Sequence, residues 1–375
     1  MTARDVHPLG RLPEEWEAVV DALGERSFRG RQLFRWIHAR NATDVSSMTD
    51  LPRSLRERLG SLDLSVPAEV AEVRRAHDGT RKLVLSLAAG GRVECVVIPM
   101  SDDPDDERDE GERWDGRVTL CISTQIGCAM GCVFCASGQA GLDRGLLAHE
   151  IVAQVIVARR YLEPEEHLRN LVFMGMGEPL HHYDETARAL RLLTHPDGIG
   201  MSPRRITVST VGLVPGIRKL GEDFDGKVGL AVSLHAPNDA IRGRIVPMND
   251  RYSMDDVLSA LSAYPLPKRR RITIEYTLIR GVNDEVAHAR ELALRLKKLP
   301  VKVNLIPMNT IGQSPFEAAT DGRVEAFREA LADAGLSAFV RKRRGDEVGA
   351  ACGQLVLADR LAEKRRSGKC SGAFS

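Results

Sequence analysis

Residues 128–135 read Cys128-Ala-Met-Gly-Cys132-Val-Phe-Cys135, and this C-x₃-C-x₂-C spacing decides how the rest of the chain is interpreted. Three thiolates this close in sequence can hold one iron–sulfur cluster from a single loop. Since a four-iron cluster has four corners, three protein ligands leave one iron open to a small molecule. Two alternatives stay open on spacing alone: a zinc site that lacks its fourth ligand, and a redox-active Cys-x-x-Cys pair.

The composition fits one large globular domain with an accessory module. Of 375 residues, 43% are hydrophobic and 28% are charged. No apolar run approaches the roughly 18 residues of a membrane span, and the amino-terminal stretch carries no secretion signal. Seven cysteines, an odd number with three crowded together, argue against a secreted disulfide framework. We therefore expect a cytoplasmic protein without a membrane segment.

The net charge of +1 conceals strong local charge. Residues 101–117 form an acidic tract, whereas basic clusters occupy 268–271, 341–344 and 364–366. Each basic cluster can be a solvated surface. A near-neutral total does not exclude a nucleic-acid partner, however, because the local field of a basic face governs binding.

Hydrophobic periodicity divides the chain into a helical part, a strand part and an alternating part. Helical spacing predicts helices over 14–60, and a period of two predicts strands over 82–87 and 93–98. Beyond the acidic tract, apolar runs alternate with amphipathic helical stretches, which indicates βαβ units around a parallel sheet. The six runs are Val118–Ile122, Leu171–Met174, Ile206–Ser209, Val228–Leu234, Ile272–Leu278 and Val303–Ile306.

This pattern predicts an α/β fold. Six strands are fewer than the eight of a complete barrel, so we expect a partial (β/α)₆ barrel that binds ligands at the carboxyl ends of its strands. The predicted units are a small helical accessory domain over 1–65, a β extension with the acidic loop over 66–117, the barrel over 118–345 and a C-terminal segment over 346–375.

A glycine-rich motif, Met174-Gly-Met-Gly-Glu-Pro179, follows the second predicted barrel strand. Its glycines allow a ligand close to the backbone, and Glu178 can accept hydrogen bonds from an amine. Together with the cysteine loop, the motif resembles the radical S-adenosylmethionine superfamily. That resemblance implies a [4Fe–4S] cluster held by Cys128, Cys132 and Cys135, with S-adenosylmethionine bound at the open iron.

The segment from Val340 to Leu355, with Cys352 in the run Gly-Ala-Ala-Cys-Gly-Gln-Leu, resembles the signature of the RlmN/Cfr family of RNA adenine methyltransferases. The segments 120–128, 232–238 and 304–309 match that family as well, and the similarity runs from about residue 28 to residue 355. The acidic tract is a departure, since the family usually has a short link there. It affects no position to which the resemblance assigns chemistry.

The resemblance implies a site assembled from distant segments. Cys352 matches the thiol that carries the methyl group, and Cys121 the thiol that releases the RNA adduct and ends in a disulfide with Cys352. Glu94 matches the base that removes the ring proton. The implied cofactor contacts are Gly177, Glu178, Ser209, Ser233, Leu234, His235 and Asn309.

Considered without the resemblance, three of these residues have simpler interpretations. Cys121 is typical of a packed strand residue, and His235 of a strand-end histidine satisfied by the backbone. Glu94 alternates with apolar neighbours, which favours an outward-facing carboxylate. Cys95 and Cys370 match no role.

The resemblance implies conversion of adenosine to 2-methyladenosine in 23S rRNA near the peptidyl transferase centre, and in tRNA next to the anticodon. It also implies two molecules of S-adenosylmethionine per turnover, an external flavodoxin-like electron donor and a monomeric enzyme. The helical module offers Arg29, Arg31, Arg35 and Arg40 to RNA phosphates. Two rival hypotheses remain: methylation of carbon 8 by the same cysteine set, and a non-catalytic, cluster-bearing RNA-binding protein.

Overall fold

A computed structural model describes residues 6–100, 116–309, 311, 314–342 and 344–355. Four features noted in the sequence lie outside the described residues: most of the acidic tract, Arg343, the basic cluster 364–366 and Cys370.

The described part of the chain forms helices and strands that alternate from residue 117 onward. Its α-helices are α1 (Pro13–Ala22), α2 (Phe28–His38), α3 (Arg53–Leu59), α4 (Ala136–Ala140), α5 (Ala148–Arg159), α6 (Tyr183–Thr194), α7 (Val214–Phe224), α8 (Asp239–Ile245), α9 (Met254–Ser262), α10 (Val286–Leu296) and α11 (Asp321–Asp333). Its strands are β1 (Ala68–Arg75), β2 (Arg81–Leu87), β3 (Arg92–Pro99), β4 (Arg117–Cys121), β5 (Gln125–Ile126), β6 (Arg144–Gly145), β7 (His167–Phe173), β8 (Ile206–Thr210), β9 (Gly229–Ser233), β10 (Ile272–Leu278), β11 (Val301–Pro307) and β12 (Ala338–Val340). None of the described helices combines the length and the apolar character needed to cross a membrane.

Most of the strands belong to one continuous sheet in the order β1-β2-β3-β4-β7-β8-β9-β10-β11-β12. In this sheet, neighbouring strands from β4 to β12 run parallel, which confirms the predicted partial barrel. A seventh parallel strand, β12, extends the barrel edge. It spans three half-buried residues, too short for an apolar run to reveal it in the sequence.

The extension β1–β3 joins the barrel sheet directly, because β3 pairs antiparallel to β4. Helix α5 covers one face of this junction. Its residues from Ala148 to Ala158 are buried, apart from the half-buried His149, and it packs against β1–β3 and against α6. Burial on nearly all sides, rather than along one stripe, is typical of a helix covered by several elements.

The helical module packs its own core and also docks on the barrel helices. Trp16, Val20, Leu33 and Phe34 are fully buried within α1 and α2. Outside this core, Arg188 of α6 donates a hydrogen bond to the Gly10 carbonyl at 2.7 Å. The module is therefore fixed to the barrel by polar contacts as well as by packing.

The four arginines that were predicted to meet phosphates all have partners within the protein. Arg31 pairs with Glu17 at 2.7 Å and Arg35 with Asp197 at 2.8 Å. The side chain of Arg29 donates hydrogen bonds to Gln32 and to the Asp50 carbonyl, and Arg40 lies 4.1 Å above the Trp36 ring. Binding of a phosphate has to compete with these contacts, and the predicted role stays a prediction.

The crossing of α1 and α2 depends on a glycine. A Cβ atom placed on Gly30 would lie 2.3 Å from the Glu17 nitrogen and 2.6 Å from the Trp16 carbonyl carbon. Both are backbone atoms, which cannot rotate away. The two helices can approach this closely only because residue 30 has no side chain.

We expect Gly30→Ala to lower the free energy of unfolding by about 1–3 kcal/mol, because the added methyl group forces the helices apart. The matched control is Gly322→Ala in α11, where a Cβ meets nothing within 4 Å. Urea titration followed by tryptophan fluorescence measures both, since Trp16 and Trp36 lie in this module. Equal stability of the two variants would contradict the close-contact argument.

Candidate active site

A cavity lies at the carboxyl ends of the barrel strands, and we call it the cofactor cavity. The empty space in it, counted together with the open space at its mouth, is about 930 Å³. The predicted site residues that line it are Cys128, Cys132, Cys135, Gly177, Glu178, Ser209, Ser233, His235, Asn309 and Cys352. The fold therefore brings most of the predicted site together.

The three clustered cysteines lie between β4 and α4 on a loop anchored by backbone hydrogen bonds. The Cys128 amide donates to the Gly141 carbonyl at 3.2 Å, and the Val133 amide donates to the Ile245 carbonyl at 3.2 Å. Burial raises the pKa of Cys128 to about 12 and that of Cys132 well above its usual range, and the neighbouring Cys135 thiol adds to both effects. Three thiolates here need cationic partners, which the irons of a cluster supply.

The arrangement of the cysteine loop differs from a site for a single metal ion. Within the part of the chain that the structure describes, no group of three or more His, Cys, Asp or Glu residues is arranged so that it could hold a metal ion. Thiols that ligate a four-iron cluster do not share one coordination sphere, because each binds iron at its own corner. Ligation of a cluster requires instead that the three cysteines face one cavity, and all three line the cofactor cavity.

The glycine-rich motif packs directly on the start of the cysteine loop. A Cβ on Gly175 would lie 2.7 Å from the Ile122 carbonyl oxygen, and one on Gly177 would lie 2.6 Å from the Gln125 Cβ. Gly177 also has a φ of 107°, which L side chains rarely adopt. Both glycines are thus required for close contact between the two loops.

Glu178 is held rigidly at the wall of the cofactor cavity. One carboxylate oxygen accepts a hydrogen bond from the Val211 amide at 2.9 Å, and the other accepts one from the Leu180 amide at 3.1 Å. Burial raises the pKa of Glu178 to about 7, although these hydrogen bonds act in the opposite direction. A fixed, buried carboxyl group of this kind is suited to receive the amine of a ligand.

His235 lies at the end of β9 in a left-handed conformation, with φ 58°. Its Nδ1 accepts a hydrogen bond from the Thr277 amide at 2.9 Å, which assigns the proton to Nε2. Burial lowers the pKa of His235 to about 3, so the ring is neutral. The backbone satisfies one ring nitrogen, as the strand-end interpretation predicts, and His235 also lines the cavity, where its contact with a cofactor stays a prediction.

Leu234 differs from its neighbours. Its side chain is fully buried in the core and does not line the cofactor cavity. Its amide donates to the Glu275 carbonyl at 3.1 Å, within the strand pair β9–β10. A contact between Leu234 and the cofactor can therefore involve only its backbone.

The loop that carries Cys352 closes against the cysteine loop. The Ala136 amide donates to the Gly353 carbonyl at 2.7 Å, and the Ser137 hydroxyl donates to the Leu355 carbonyl. Asn309 Nδ2 donates to the Cys352 carbonyl at 3.0 Å. Asn309 Oδ1 is buried without a hydrogen-bond partner among the described residues, which leaves an acceptor for a ligand donor.

A second, smaller cavity, which we call the thiol cavity, contains both Cys121 and Cys352. Burial raises the pKa of Cys121 to about 12, and the Cys352 thiol adds to this effect. All six described cysteines are free thiols, so the predicted disulfide between Cys121 and Cys352 is not supported by the structure. The structure does show that the two thiols face the same space.

Glu94 lines neither of these cavities and is not an outward-facing carboxylate. It is 3% exposed on β3 and pairs with Lys82 of β2 at 3.1 Å. The Lys82 ammonium group also donates to the Gly349 carbonyl at 3.1 Å, three residues before Cys352. The interpretation from strand alternation was wrong because the C-terminal loop covers the second face of β3.

Sequence reasoning missed two features of the barrel interior. Glu275 of β10 lines the cofactor cavity, and the available signal was a single charged residue in an otherwise uncharged run, 272–278. A third, open cavity adjoins it toward the amino ends of the strands, and we call it the basic cavity. Its cationic lining residues are Arg204, Arg205, Lys302, Arg341, Lys342 and Arg344.

Comparison with protein-family models gives two matches. The model described as the radical SAM superfamily matches residues 122–293. The model described as the ribosomal RNA large subunit methyltransferase N-terminal domain matches residues 9–63. The two matched segments contain the cysteine loop and the helical module, respectively.

Known proteins resemble the chain over nearly its whole length. A dual-specificity RNA methyltransferase RlmN from Sorangium cellulosum is 53% identical, covering 98% of this chain and 100% of the relative. Another from Nitratidesulfovibrio vulgaris is 45% identical and covers 93% of each chain. The crystal structure of a radical SAM methyltransferase from Sphaerobacter thermophilus matches with a TM-score of 0.83 and 41% identity, covering 93% of this chain and 99% of that one.

The Lys82–Glu94 pair generates a prediction about the loop that carries Cys352. We expect Lys82→Met to lower the free energy of unfolding by about 3–5 kcal/mol, because it removes the cation from a buried ion pair. Amide exchange at residues 349–353 should also become faster, because the Gly349 carbonyl loses its donor. Urea titration and hydrogen-exchange mass spectrometry measure the two effects.

The matched control is Lys227→Met, which breaks the exposed pair of Lys227 with Asp225. It should change the free energy of unfolding by less than about 1 kcal/mol. If Lys82→Met leaves exchange at 349–353 as slow as this control does, Lys82 does not hold the loop.

Proposed function

Because the chain belongs to the RlmN family of radical S-adenosylmethionine RNA methyltransferases, we propose that it converts adenosine to 2-methyladenosine in 23S rRNA near the peptidyl transferase centre and in tRNA next to the anticodon. The family uses a [4Fe–4S] cluster and S-adenosylmethionine and acts on RNA. One observation carries the proposal: Cys352 and the three cysteines of the loop line the same cavity.

The residues present fit the two cofactors. Cys128, Cys132 and Cys135 would hold the cluster, and Glu178 would receive the amine of S-adenosylmethionine. When bound, the cluster and S-adenosylmethionine supply an electron, a hydrogen-abstracting radical and the methyl group. The remaining proposed contacts are Gly177, Ser209, Ser233, the Leu234 backbone, His235 and Asn309.

The two thiols of the thiol cavity have separate roles in the proposal. The sulfur of Cys352 accepts a methyl group and then links its carbon to the adenine ring, which is covalent catalysis with the thiol as carrier. Cys121 releases the RNA by attack on the Cys352 sulfur. Since burial raises the pKa of Cys121, its proton must leave before it can attack.

Glu94 remains the proposed acceptor of the ring proton. Its carboxylate is buried against Lys82 and lines neither cavity, so this role requires the pair to open toward the Cys352 loop. The Lys82 contact with the Gly349 carbonyl couples the pair to that loop. A movement of the loop therefore reaches Glu94 through two contacts of Lys82, its hydrogen bond to the Gly349 carbonyl and its ion pair with Glu94.

The basic cavity supports RNA as the substrate. Its arginine and lysine side chains lie beside the cofactor cavity, and the two share Met174, Glu275 and Arg341. Phosphates can be held in the basic cavity while the target base, taken out of its stack, reaches Cys352. We assign residues 1–65 to RNA binding as well.

The proposal also includes an electron donor, an oligomeric state and a location in the cell. A flavodoxin-like protein donates the electron, and each turnover uses two molecules of S-adenosylmethionine. The enzyme acts as a monomer in the cytoplasm, where ribosomal and transfer RNA are found. The carbon-8 and non-catalytic alternatives are not favoured, because the relatives that match over nearly the whole length are named dual-specificity RNA methyltransferases.

The product distinguishes carbon 2 from carbon 8. We expect anaerobically reconstituted enzyme, with reductant and S-adenosylmethionine, to form 2-methyladenosine in a 23S rRNA fragment and in tRNA. Mass spectrometry of the digested RNA against both methyladenosine standards measures this. Formation of 8-methyladenosine alone contradicts the proposal.

The cysteine roles generate a second prediction. Cys352→Ala should abolish methylation, because the carrier sulfur is missing, whereas Cys121→Ala should accumulate a protein–RNA crosslink that cannot be released. Cys95→Ala is the matched control, since Cys95 is a buried cysteine on the adjacent strand that lines neither the cofactor cavity nor the thiol cavity. Denaturing gels and nucleoside analysis record both effects. Methylation by Cys352→Ala at the wild-type rate would overturn the carrier role.

A further inference from the structure

Glu275 is a carboxylate in the barrel interior to which the proposed reaction gives no role. It is 4% exposed in the middle of β10, and it lines both the cofactor cavity and the basic cavity. Glu178 is the other carboxylate that lines the cofactor cavity, and both of its oxygens already accept backbone hydrogen bonds. Glu275 therefore lies where the cofactor cavity and the basic cavity meet, and its hydrogen bonds differ from those of Glu178.

The hydrogen bonds of Glu275 are incomplete. Its Oε2 accepts a hydrogen bond from Asn304 Nδ2 at 2.8 Å, whereas no described residue donates to Oε1. Burial raises the pKa of Glu275, and the nearby cations of Arg341 and Lys302 oppose that effect. Oε1 is not among the fully buried atoms that lack a partner, so it remains accessible from the cavity to a donor from a ligand.

We propose that Glu275, oriented by Asn304, reads the Watson–Crick edge of the target adenine through a hydrogen bond from the N6 amino group to Oε1. This inference rests on the proposed function. On adenine, the amino-bearing carbon, N1 and C2 follow one another along that edge, whereas C8 lies on the opposite side of the base. Since Glu275 and Cys352 line the same cavity, this contact directs C2, not C8, toward the carrier thiol.

The same contact discriminates between bases. Hypoxanthine keeps a hydrogen on C2 but presents a carbonyl oxygen at position 6, which would face the carboxylate oxygen without a proton between them. Unsubstituted purine presents no polar group at position 6. A site that leaves a buried polar group unpaired rejects such analogues strongly, so both should react more slowly than adenine.

The test uses three RNA substrates that carry adenosine, purine riboside or inosine at the target position. Wild-type enzyme should prefer adenosine over inosine by roughly 10- to 100-fold in kcat/KM, the usual range for one hydrogen bond to a charged group. In Glu275→Gln, the single amide oxygen accepts from Asn304, so the NH₂ group faces the base. That group donates to the inosine carbonyl, and the preference for adenosine should shrink or reverse.

Two further variants complete the test. Glu317→Gln makes the same chemical change on the surface, where Glu317 pairs with Arg280, and it should leave the preference unchanged. Asn304→Ala should reduce the preference, because Glu275 loses the donor that orients it. Binding of S-adenosylmethionine to each variant, measured by equilibrium dialysis, should match the wild type.

The three possible negative results lead to different conclusions. If wild-type enzyme methylates adenosine RNA but Glu275→Gln keeps the full preference over inosine, the inference is overturned and the proposed function stands. If Glu275→Gln weakens binding of S-adenosylmethionine as much as it weakens turnover, Glu275 contacts the cofactor and the inference is again overturned. If wild-type enzyme forms no 2-methyladenosine in adenosine RNA, the proposed function fails and the inference fails with it.

Discussion

The hydrogen bond from the Ala136 amide to the Gly353 carbonyl is the contact on which the site depends. It joins the loop of the three cysteines to a loop more than 200 residues further along the chain. Asn309, two residues beyond the end of β11, donates a hydrogen bond to the second loop, and Lys82 donates one to it from the β extension. Three separate elements thus fix the loop that carries Cys352. The β extension is one of these elements, and its strands belong to the same sheet as the barrel strands.

The cofactor cavity and the basic cavity differ in the charge of their lining residues. Toward the carboxyl ends, buried thiols, Glu178 and a neutral His235 surround a cavity that suits iron and an amine. Toward the amino ends, arginine and lysine side chains surround a cavity that suits phosphates. Glu275 and Arg341 line both cavities, so two residues of opposite charge lie at the boundary between them.

The elements predicted correctly are those whose signal is local. The strand Ile272–Leu278 has the bounds that its apolar run indicates, and the strand that begins at Ile206 ends one residue beyond its predicted run. Glu94 shows where local reasoning ends: alternation describes a strand with one covered face, and residues distant in sequence cover its other face. Glu275 was missed for the same reason, since only the folded barrel shows that it lines two cavities.

Because the chain is synthesised from its amino terminus, the cysteine loop is made before the loop that carries Cys352. Ribosomes add roughly 5–20 residues per second, so on the order of 10–40 s separate the synthesis of the cysteine loop from that of residues 350–355. Throughout that interval the loop with Cys352 does not yet exist, and one wall of the cofactor cavity is absent. The nascent polypeptide therefore passes through a stage in which the side of the cysteine loop that the Cys352 loop later covers is still uncovered.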